Sequence, residues 1–297
     1  MINACEQLIR KEILLSKRTT IKTGGPANYF AQVSNPEELQ EILVWARTKK
    51  LDIFRLGNGS NIVVSDAGLP GVTILYKAKK PQYSMDTNII TVHSGTSWPS
   101  IARKTAKEGY RGLEMGYGIP GLIGGSICMN AGIPDGNISD CLISVKVANT
   151  RTGNIFKMAK NEMDFGFRHS LFLEDPELII LEAVFKLYRD QNRSVVTDME
   201  DRMKQRLKKQ PYSEPSAGCM FRRTDQILPG KLIEESGCKG LRIGGAEVSI
   251  KHSNFIINLG NATSNDVWLL LQEVRKRVHD KYGVELTNEV QFIGEFT

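Results

Sequence analysis

The 297-residue sequence predicts a chain of mixed helices and strands whose first glycine loop is not a dinucleotide-binding fingerprint. Strand-like runs and a few capped helices follow one another between glycine and proline turns. The run 53–56 feeds Gly57-Asn58-Gly59-Ser60-Asn61, and a second strand-like run, 62–65, follows at once. A dinucleotide fingerprint would instead open a helix whose N-terminus holds the phosphate. Glycine then recurs at 116, 118, 121, 124, 125 and 132 within one stretch of small and apolar residues. Backbone of that kind loses much conformational freedom on folding. It serves either close internal packing or main chain laid against a large flat group, and the stretch alone leaves both readings open.

Taken in order, residues 1–20 read as helical at first and then extended, and 19–33 as a strand broken by the turn Gly24-Gly25-Pro26. Asn35-Pro36-Glu37-Glu38 is a helix start: a side-chain acceptor at the cap, proline in the first turn, and acids at the positive end of the dipole. Leu39, Ile42, Leu43 and Ala46 make its apolar face, and Lys49-Lys50 close it. Strands are expected at 71–76 and 89–94, and residues 97–109 read as a helix capped at Ser97 with glycine at its end. Beyond the glycine-rich stretch, strands are expected at 143–148, 155–158 and 178–187. Before the last of these, Phe165-Gly166-Phe167-Arg168-His169 sets one arginine among aromatics, as a surface cation stacked on rings or as a carboxylate-binding fork.

A charged helical linker is expected from 198 to 209, stopping before Pro211. The composition shift there sets the domain boundary: 1–197, subdivided near 78, and 198–297. In the second part 231–236 reads as a short helix, 254–258 as a strand and 263–282 as a long helix. Thr263 and Asp266 supply its capping signal, Val267, Leu270, Leu271, Val274 and Val278 its core face, and Gly283 its end.

Composition narrows the class. Hydrophobic residues at 41% and charged residues at 24% are ordinary for a globular protein, and no run approaches the roughly 18 apolar residues of a membrane span. Glu6, Arg10, Lys11 and Glu12 interrupt any apolar core that a secretory signal would need, so a cytoplasmic protein is expected. The 5 cysteines, Cys5, Cys128, Cys141, Cys219 and Cys238, are scattered, and the 4 histidines form no ligand cluster. Free thiols and no metal site follow. A net charge of +6 suits an anionic partner. The basic residues, however, sit dispersed on helix-like segments such as 202–209, without interleaved aromatics. Solvated helix faces are therefore preferred to a nucleic-acid surface. A monomer with a small-molecule substrate and neither nucleic acid nor membrane as partner is expected. The Gly57–Asn61 run can curl into a nest of N–H groups for an anion, with Ser60 and Asn61 side chains adding donors. Asn-Gly is equally the common hairpin turn.

The motifs together resemble the UDP-N-acetylenolpyruvoylglucosamine reductase family. The resemblance is collinear along nearly the whole chain: Thr20-Ile-x-Thr-Gly-Gly-Pro-Ala, Leu56-Gly-Asn-Gly-Ser-Asn-Ile, Gly118-Ile-Pro-Gly, Met129-Asn-Ala-Gly, Phe165-Gly-Phe-Arg, Pro215-Ser-Ala-Gly, Lys231-Leu-Ile-Glu-Glu and Gly244-Gly-Ala. It implies an α+β fold, an FAD-binding region of two subdomains of the vanillyl-alcohol-oxidase type followed by an α+β substrate domain. Without a tyrosine-bearing insertion loop, the chain is similar to the shorter type of the family. The implied activity is the NADPH-dependent, FAD-mediated reduction of UDP-N-acetylglucosamine enolpyruvate to UDP-N-acetylmuramate in peptidoglycan synthesis.

By the same resemblance Thr23, Gly57, Asn58, Gly59, Ser60 and Asn61 lie at the FAD pyrophosphate. Gly118, Ile119, Pro120, Gly121, Gly125, Asn130, Ala131 and Gly132 approach the flavin and its chain. Residues 57–66 hold no histidine, so FAD is expected to be non-covalent, with NADPH as hydride donor. The chemistry needs hydride at the vinyl carbon, stabilisation of the negative charge that develops beside the carboxylate, and a proton delivered there. Family position puts Arg168 and Glu289 at that carboxylate. Arginine suits it because its planar fork matches a carboxylate and stays protonated. Glu289 helps only when neutral or donating a proton, so burial should raise its pKa.

Two positions depart from the family pattern. Most members carry serine as proton donor after Pro-Ser-Ala-Gly, where this chain has Cys219, a stronger acid with a reference pKa of about 8.5. Phe167 stands where tyrosine is usual. Ser216, Arg222, Lys231, Asn254 and Lys251 are the groups expected at the substrate pyrophosphate and sugar, with solvation on a helix face the competing reading for the lysines. Two other function classes compete. An oxidase of the same fold would reoxidise rapidly in air, and a basic nucleotide- or nucleic-acid-binding module would show no flavin absorption band.

Overall fold

The computed structural model describes residues 6–78 and 80–297, so Cys5 and the first five positions of the expected N-terminal helix lie outside the described residues. The described chain divides into two compact units that do not follow chain order. One takes residues 6–11, 29–58 and 71–205, and the other takes 12–28, 59–70 and 206–297.

Two sheets build the first unit. One has the strand order Ile9–Leu14, Pro26–Val33, Leu69–Tyr76, Ile53–Leu56, and its last two strands run parallel with Ile53 opposite Val72. The helix Pro36–Thr48 packs with it. The Asn35 side chain accepts the Glu38 N–H at 2.8 Å, and Leu39, Ile42, Leu43 and Ala46 are fully buried against Ala31, Val72 and Ile74. Each of the three larger side chains contributes about 1.5–3 kcal/mol by leaving water, so the apolar face outweighs the cap at about 1 kcal/mol.

The second sheet is antiparallel throughout, in the order Ile155–Ala159, Leu142–Asn149, Leu178–Lys186, Ile89–His93, Tyr83–Asp86. Its core joins Ile90, Val145 and Phe185 to Trp98, Ile123 and Ile127. The helix Trp98–Lys107 is anchored by this burial and by proline in its first turn; Ser97 makes no side-chain cap bond, contrary to the sequence reading. Trp98 is also held by its indole N–H on the Leu113 carbonyl at 3.0 Å and its backbone N–H on the Gly121 carbonyl at 3.0 Å. The helix Val195–Lys209 begins three residues before the expected start. Asp190 accepts the Val195 N–H at 2.7 Å, and Val195 and Met199 pack on Ala106.

The second unit holds an antiparallel sheet in the order Ser216–Cys219, Phe255–Asn258, Ala246–Val248, Arg242–Ile243. The long helix Ser264–Tyr282 covers it, with Val267, Leu270, Leu271, Val274 and Val278 buried among Ala217, Met220, Val248 and Ile256. Thr263 and Asp266 form the expected capping box, and Gly283 ends the helix at φ 65°. Asp66 adds a second cap: its carboxylate accepts the N–H groups of Ser264 at 2.9 Å and Asn265 at 3.0 Å. Ile62–Val64 pairs in parallel with Gln291–Ile293. The strands on either side of Gly57–Asn61 thus belong to different sheets, so that loop is not a hairpin.

Candidate active site

In the second unit, the anion-loop candidate is tied to the backbone that carries Cys219 and Glu289. Gly59 has φ +63°, and a Cβ there would lie 2.3 Å from the Arg18 carbonyl oxygen, so only glycine fits. Thr20 fixes this approach: its N–H donates to the Gly59 carbonyl at 2.9 Å and its hydroxyl to the Ser216 carbonyl at 2.7 Å. Asn61 donates its side-chain amide to the Glu289 carbonyl at 3.1 Å, and its backbone carbonyl accepts the Gln291 N–H at 3.0 Å. That side-chain amide thus gives an N–H to the protein backbone, in addition to the anion-donor role expected from the sequence.

Cys219 ends the strand Ser216–Cys219, past an irregularity at Gly218 with φ +87°. The next residue, Met220, accepts the Glu289 N–H at 2.9 Å, which places the Cys219 and Glu289 segments side by side. Both residues are partly exposed. Asn254, 5% exposed, gives both ends of its amide to one peptide partner. Its Oδ1 accepts the Phe221 N–H at 3.0 Å and its Nδ2 donates to the Phe221 carbonyl at 2.8 Å. This makes Asn254 a support for the turn after Cys219. Arg222 follows, its N–H on the Thr287 carbonyl at 2.8 Å, and its Nε is buried with no hydrogen-bond partner among the described residues. Lys231 stands apart on the helix Pro229–Glu235: it is 68% exposed and its ammonium is 3.9 Å from Glu235. Lys251 donates to the Leu207 carbonyl at 2.6 Å.

In the first unit the glycine-rich stretch folds into a turn and the short helix Ile123–Cys128, which the sequence reading missed. Asn58 donates its amide to the Pro120 carbonyl at 2.8 Å, which joins Gly57-Asn58 to the Gly118–Gly121 turn. Asn130 donates to the Gly166 carbonyl at 2.8 Å. The Arg168 guanidinium donates to the carbonyls of Asn130 at 3.2 Å and Gly132 at 2.8 Å, with its carbon 5.0 Å from the Phe167 ring centre. Arg168 thus braces the end of the same stretch and sits at φ 54°, a left-handed conformation held by these contacts.

The glycines divide by purpose. A Cβ at Gly116 would strike the Trp98 ring at 2.2 Å, and one at Gly132 the Gly136 carbonyl at 2.2 Å, so close packing by itself requires glycine at these two, whatever else their backbone contacts. Gly57 and Gly125 have ordinary φ and a Cβ there would meet nothing within 4 Å; among the described glycines only these two combine both properties. Nothing in the chain itself requires glycine at either place. Ser126 Oγ and Asn130 Oδ1 in this unit, and Thr23 Oγ1 in the other, are buried without hydrogen-bond partners among the described residues. Native interiors rarely leave such atoms unsatisfied. Within the first unit, the bare backbone at Gly125 beside the unsatisfied Ser126 hydroxyl fits a flat, hydrogen-bonding cofactor such as FAD. Among the described residues no group of three or more His, Cys, Asp or Glu is placed to hold a metal ion.

Two family models match the chain. A model described as an FAD binding domain matches residues 27–159. One described as the C-terminal domain of UDP-N-acetylenolpyruvoylglucosamine reductase matches residues 210–293. The chain is 38% identical to the UDP-N-acetylenolpyruvoylglucosamine reductase of Clostridium novyi (strain NT) over 287 residues, covering 97% of this chain and 92% of that protein. The chain belongs to the UDP-N-acetylenolpyruvoylglucosamine reductase family. The reductase of Prochlorococcus marinus (strain NATL2A) is 40% identical over 96% of this chain and 98% of its own length. The crystal structure of the reductase from Thermus caldophilus matches with a TM-score of 0.83 at 33% identity, covering 96% of this chain and all of that one. The resemblance drawn from the motifs thus holds, and with it the α+β fold in which an FAD-binding domain precedes the reductase's C-terminal domain. The chain is a flavin-dependent oxidoreductase of peptidoglycan synthesis.

Proposed function

We propose that Arg168, Cys219 and Glu289 carry out the substrate chemistry of this reductase, with residues 1–197 holding the cofactor and 198–297 the UDP-sugar. FAD, when bound, would supply the redox chemistry that passes hydride from NADPH to the vinyl carbon of the enolpyruvyl ether. Thr23, Gly57–Asn61, Gly118–Gly121, Gly125 and Asn130–Gly132 hold FAD without a covalent bond. Arg168 binds the enolpyruvyl carboxylate, its guanidinium oriented by the carbonyls of Asn130 and Gly132. As hydride adds to the vinyl carbon, negative charge develops at the carbon beside that carboxylate. Arg168 and a protonated Glu289 stabilise it. The Cys219 thiol gives its proton to this carbon, forming the C–H bond of the product, and the thiolate is reprotonated from solvent. Ser216, Arg222, Lys231 and Asn254 serve the nucleotide-sugar, Asn254 through the turn it holds.

The observation that carries this reading is the Glu289 N–H donating to the Met220 carbonyl at 2.9 Å, which sets the proposed acid and its charge-stabilising partner on neighbouring backbone. Two other features support it. Among the described residues no helix is long and apolar enough to cross a membrane, and Cys128, Cys141, Cys219 and Cys238 are free thiols. We also propose a cytoplasmic monomer, and gel filtration of the purified protein tests its oligomeric state directly. The decisive experiment is a visible spectrum: FAD-loaded protein should bleach on anaerobic addition of NADPH and recover on addition of the enolpyruvyl substrate. Bleaching without recovery would leave an NADPH-oxidising flavoprotein and remove the proposed substrate.

A further inference from the structure

We infer that Asn61 is a positioning residue for Glu289, an assignment that rests on the role proposed above for Glu289. The backbone of Glu289 is held from two sides. Its N–H donates to Met220, the neighbour of Cys219, at 2.9 Å, and its carbonyl accepts the Asn61 side-chain amide at 3.1 Å. The Asn61 backbone carbonyl also accepts the Gln291 N–H at 3.0 Å, so Asn61 grips the chain on either side of Val290, through residues 289 and 291. Fixing both polar groups of a residue fixes the backbone from which its side chain projects, and so the direction of the Cα–Cβ bond. A glycine or serine at 61 could not reach that carbonyl by the same path, which gives this position a requirement unrelated to anion binding.

Thr20 makes a matching tie on the other arm. It bonds Gly59 through its N–H at 2.9 Å and the Ser216 carbonyl through its hydroxyl at 2.7 Å, at the start of the strand that ends in Cys219. The loop Gly59–Asn61 is therefore fastened to both backbone arms that carry the proposed proton-handling groups. Neither tie uses the anion-binding capacity of the loop's own N–H groups. Loss of the Asn61 side-chain amide should misdirect Glu289 more than it loosens FAD.

The test separates the two half-reactions by stopped-flow absorbance. In Asn61→Ala saturated with FAD, reoxidation by the enolpyruvyl substrate should slow by about tenfold more than NADPH-driven bleaching does, the worth of one net hydrogen bond. Dissociation of FAD from the apoprotein, followed by flavin fluorescence without turnover, should change by less than reoxidation. Glu289→Gln should slow reoxidation by itself, and Asn61→Ala added to it should slow reoxidation no further. If Glu289→Gln leaves reoxidation unchanged, the role of Glu289 falls and this inference with it. If Glu289→Gln slows it but Asn61→Ala does not, or if the two effects multiply, the positioning role alone is overturned. A loss of FAD affinity matching the loss in reoxidation also overturns it, by returning Asn61 to the cofactor. Asn61→Ser takes the place of the alanine variant if that variant fails to fold.

Discussion

Removing the Asn254 amide should destabilise the second unit measurably. In Asn254→Ala, the N–H and the carbonyl of Phe221 both lose their partner. Phe221 is 1% exposed and Asn254 5%, so solvent does not replace the lost bonds at once. Each bond contributes about 1 kcal/mol net, and each stranded buried group adds about 1–3 kcal/mol, which puts the loss at about 2–5 kcal/mol once partial relaxation is allowed. The unit has roughly 120 residues and, at about 2.1 cal/mol/K per residue, an unfolding entropy near 0.25 kcal/mol/K. The melting temperature of its transition should fall by about 8–20 °C, read by differential scanning calorimetry at neutral pH. Asn254→Asp resolves the two halves. A carboxylate still accepts the Phe221 N–H but faces the Phe221 carbonyl, while the neutral acid can donate to it. The folded pKa of Asp at 254 is therefore raised, so its stabilising contribution is present below the unfolded value of about 3.9 and lost as pH rises through the folded one. The melting gap to the parent should be smaller at pH 4 than at pH 7. An alanine variant melting within about 2 °C of the parent would refute the argument, because it would mean that the paired amide does not hold this turn.

The remaining predictions concern the cofactor loop and the titrating groups. Gly57→Ala, entering open space, should leave the melting of the apoprotein within about 1 °C while weakening FAD binding; Gly59→Ala, with its left-handed φ and the Arg18 carbonyl at 2.3 Å, should destabilise the apoprotein itself by more than about 1–2 kcal/mol. Turnover should decline on the alkaline side as the Cys219 thiol titrates, and Cys219→Ser should remove that decline over pH 7–10; an unchanged alkaline limb would assign the proton to another group. Alkylation at pH 8 followed by peptide mass mapping should modify Cys219 well ahead of Cys141, which burial pushes up to about 12, and Cys238, which burial also raises. Burial opposes ionisation of Asp266, but the N–H groups of Thr263 and Gly245 outweigh it and hold its carboxyl below the usual range. Its stabilising share is thus present above about pH 3.9 and is lost as pH falls through the folded value. Acid titration of Asp266→Asn should show a shallower loss of stability than the parent.

Local signals in the sequence carried far. Asn35-Pro36-Glu37-Glu38 and Thr263 with Asp266 name their helices because the capping atoms lie within four residues of one another, and Gly283 ends its helix by the same short-range logic. Ser97 shows the limit: a capping residue in the right place makes no side-chain bond, since the burial of Trp98 and Ile101 already fixes that helix. The site was legible as motifs and illegible as contacts. Gly116 and Gly125 look alike in sequence, yet one accommodates an indole and the other open space, a distinction set by Trp98 eighteen residues before Gly116. Thr20 escaped notice as a functional position because its partner, Ser216, lies 196 residues on. The helix Ile123–Cys128 went unread since two of its six residues are glycine, and the burial of Ile123 and Ile127 overrides their poor propensity.

The pairing of Ile62–Val64 with Gln291–Ile293 also sets a clock on biosynthesis. At about 5–20 residues per second, a ribosome releases the later segment roughly 10–45 s after the earlier one. Throughout that interval three apolar residues next to the Gly57–Asn61 loop present an unsatisfied edge, open to nascent neighbours and to chaperones. A slow-translating message or a depleted chaperone pool should therefore lower the yield of enzyme able to take up its yellow prosthetic group before it lowers the yield of polypeptide.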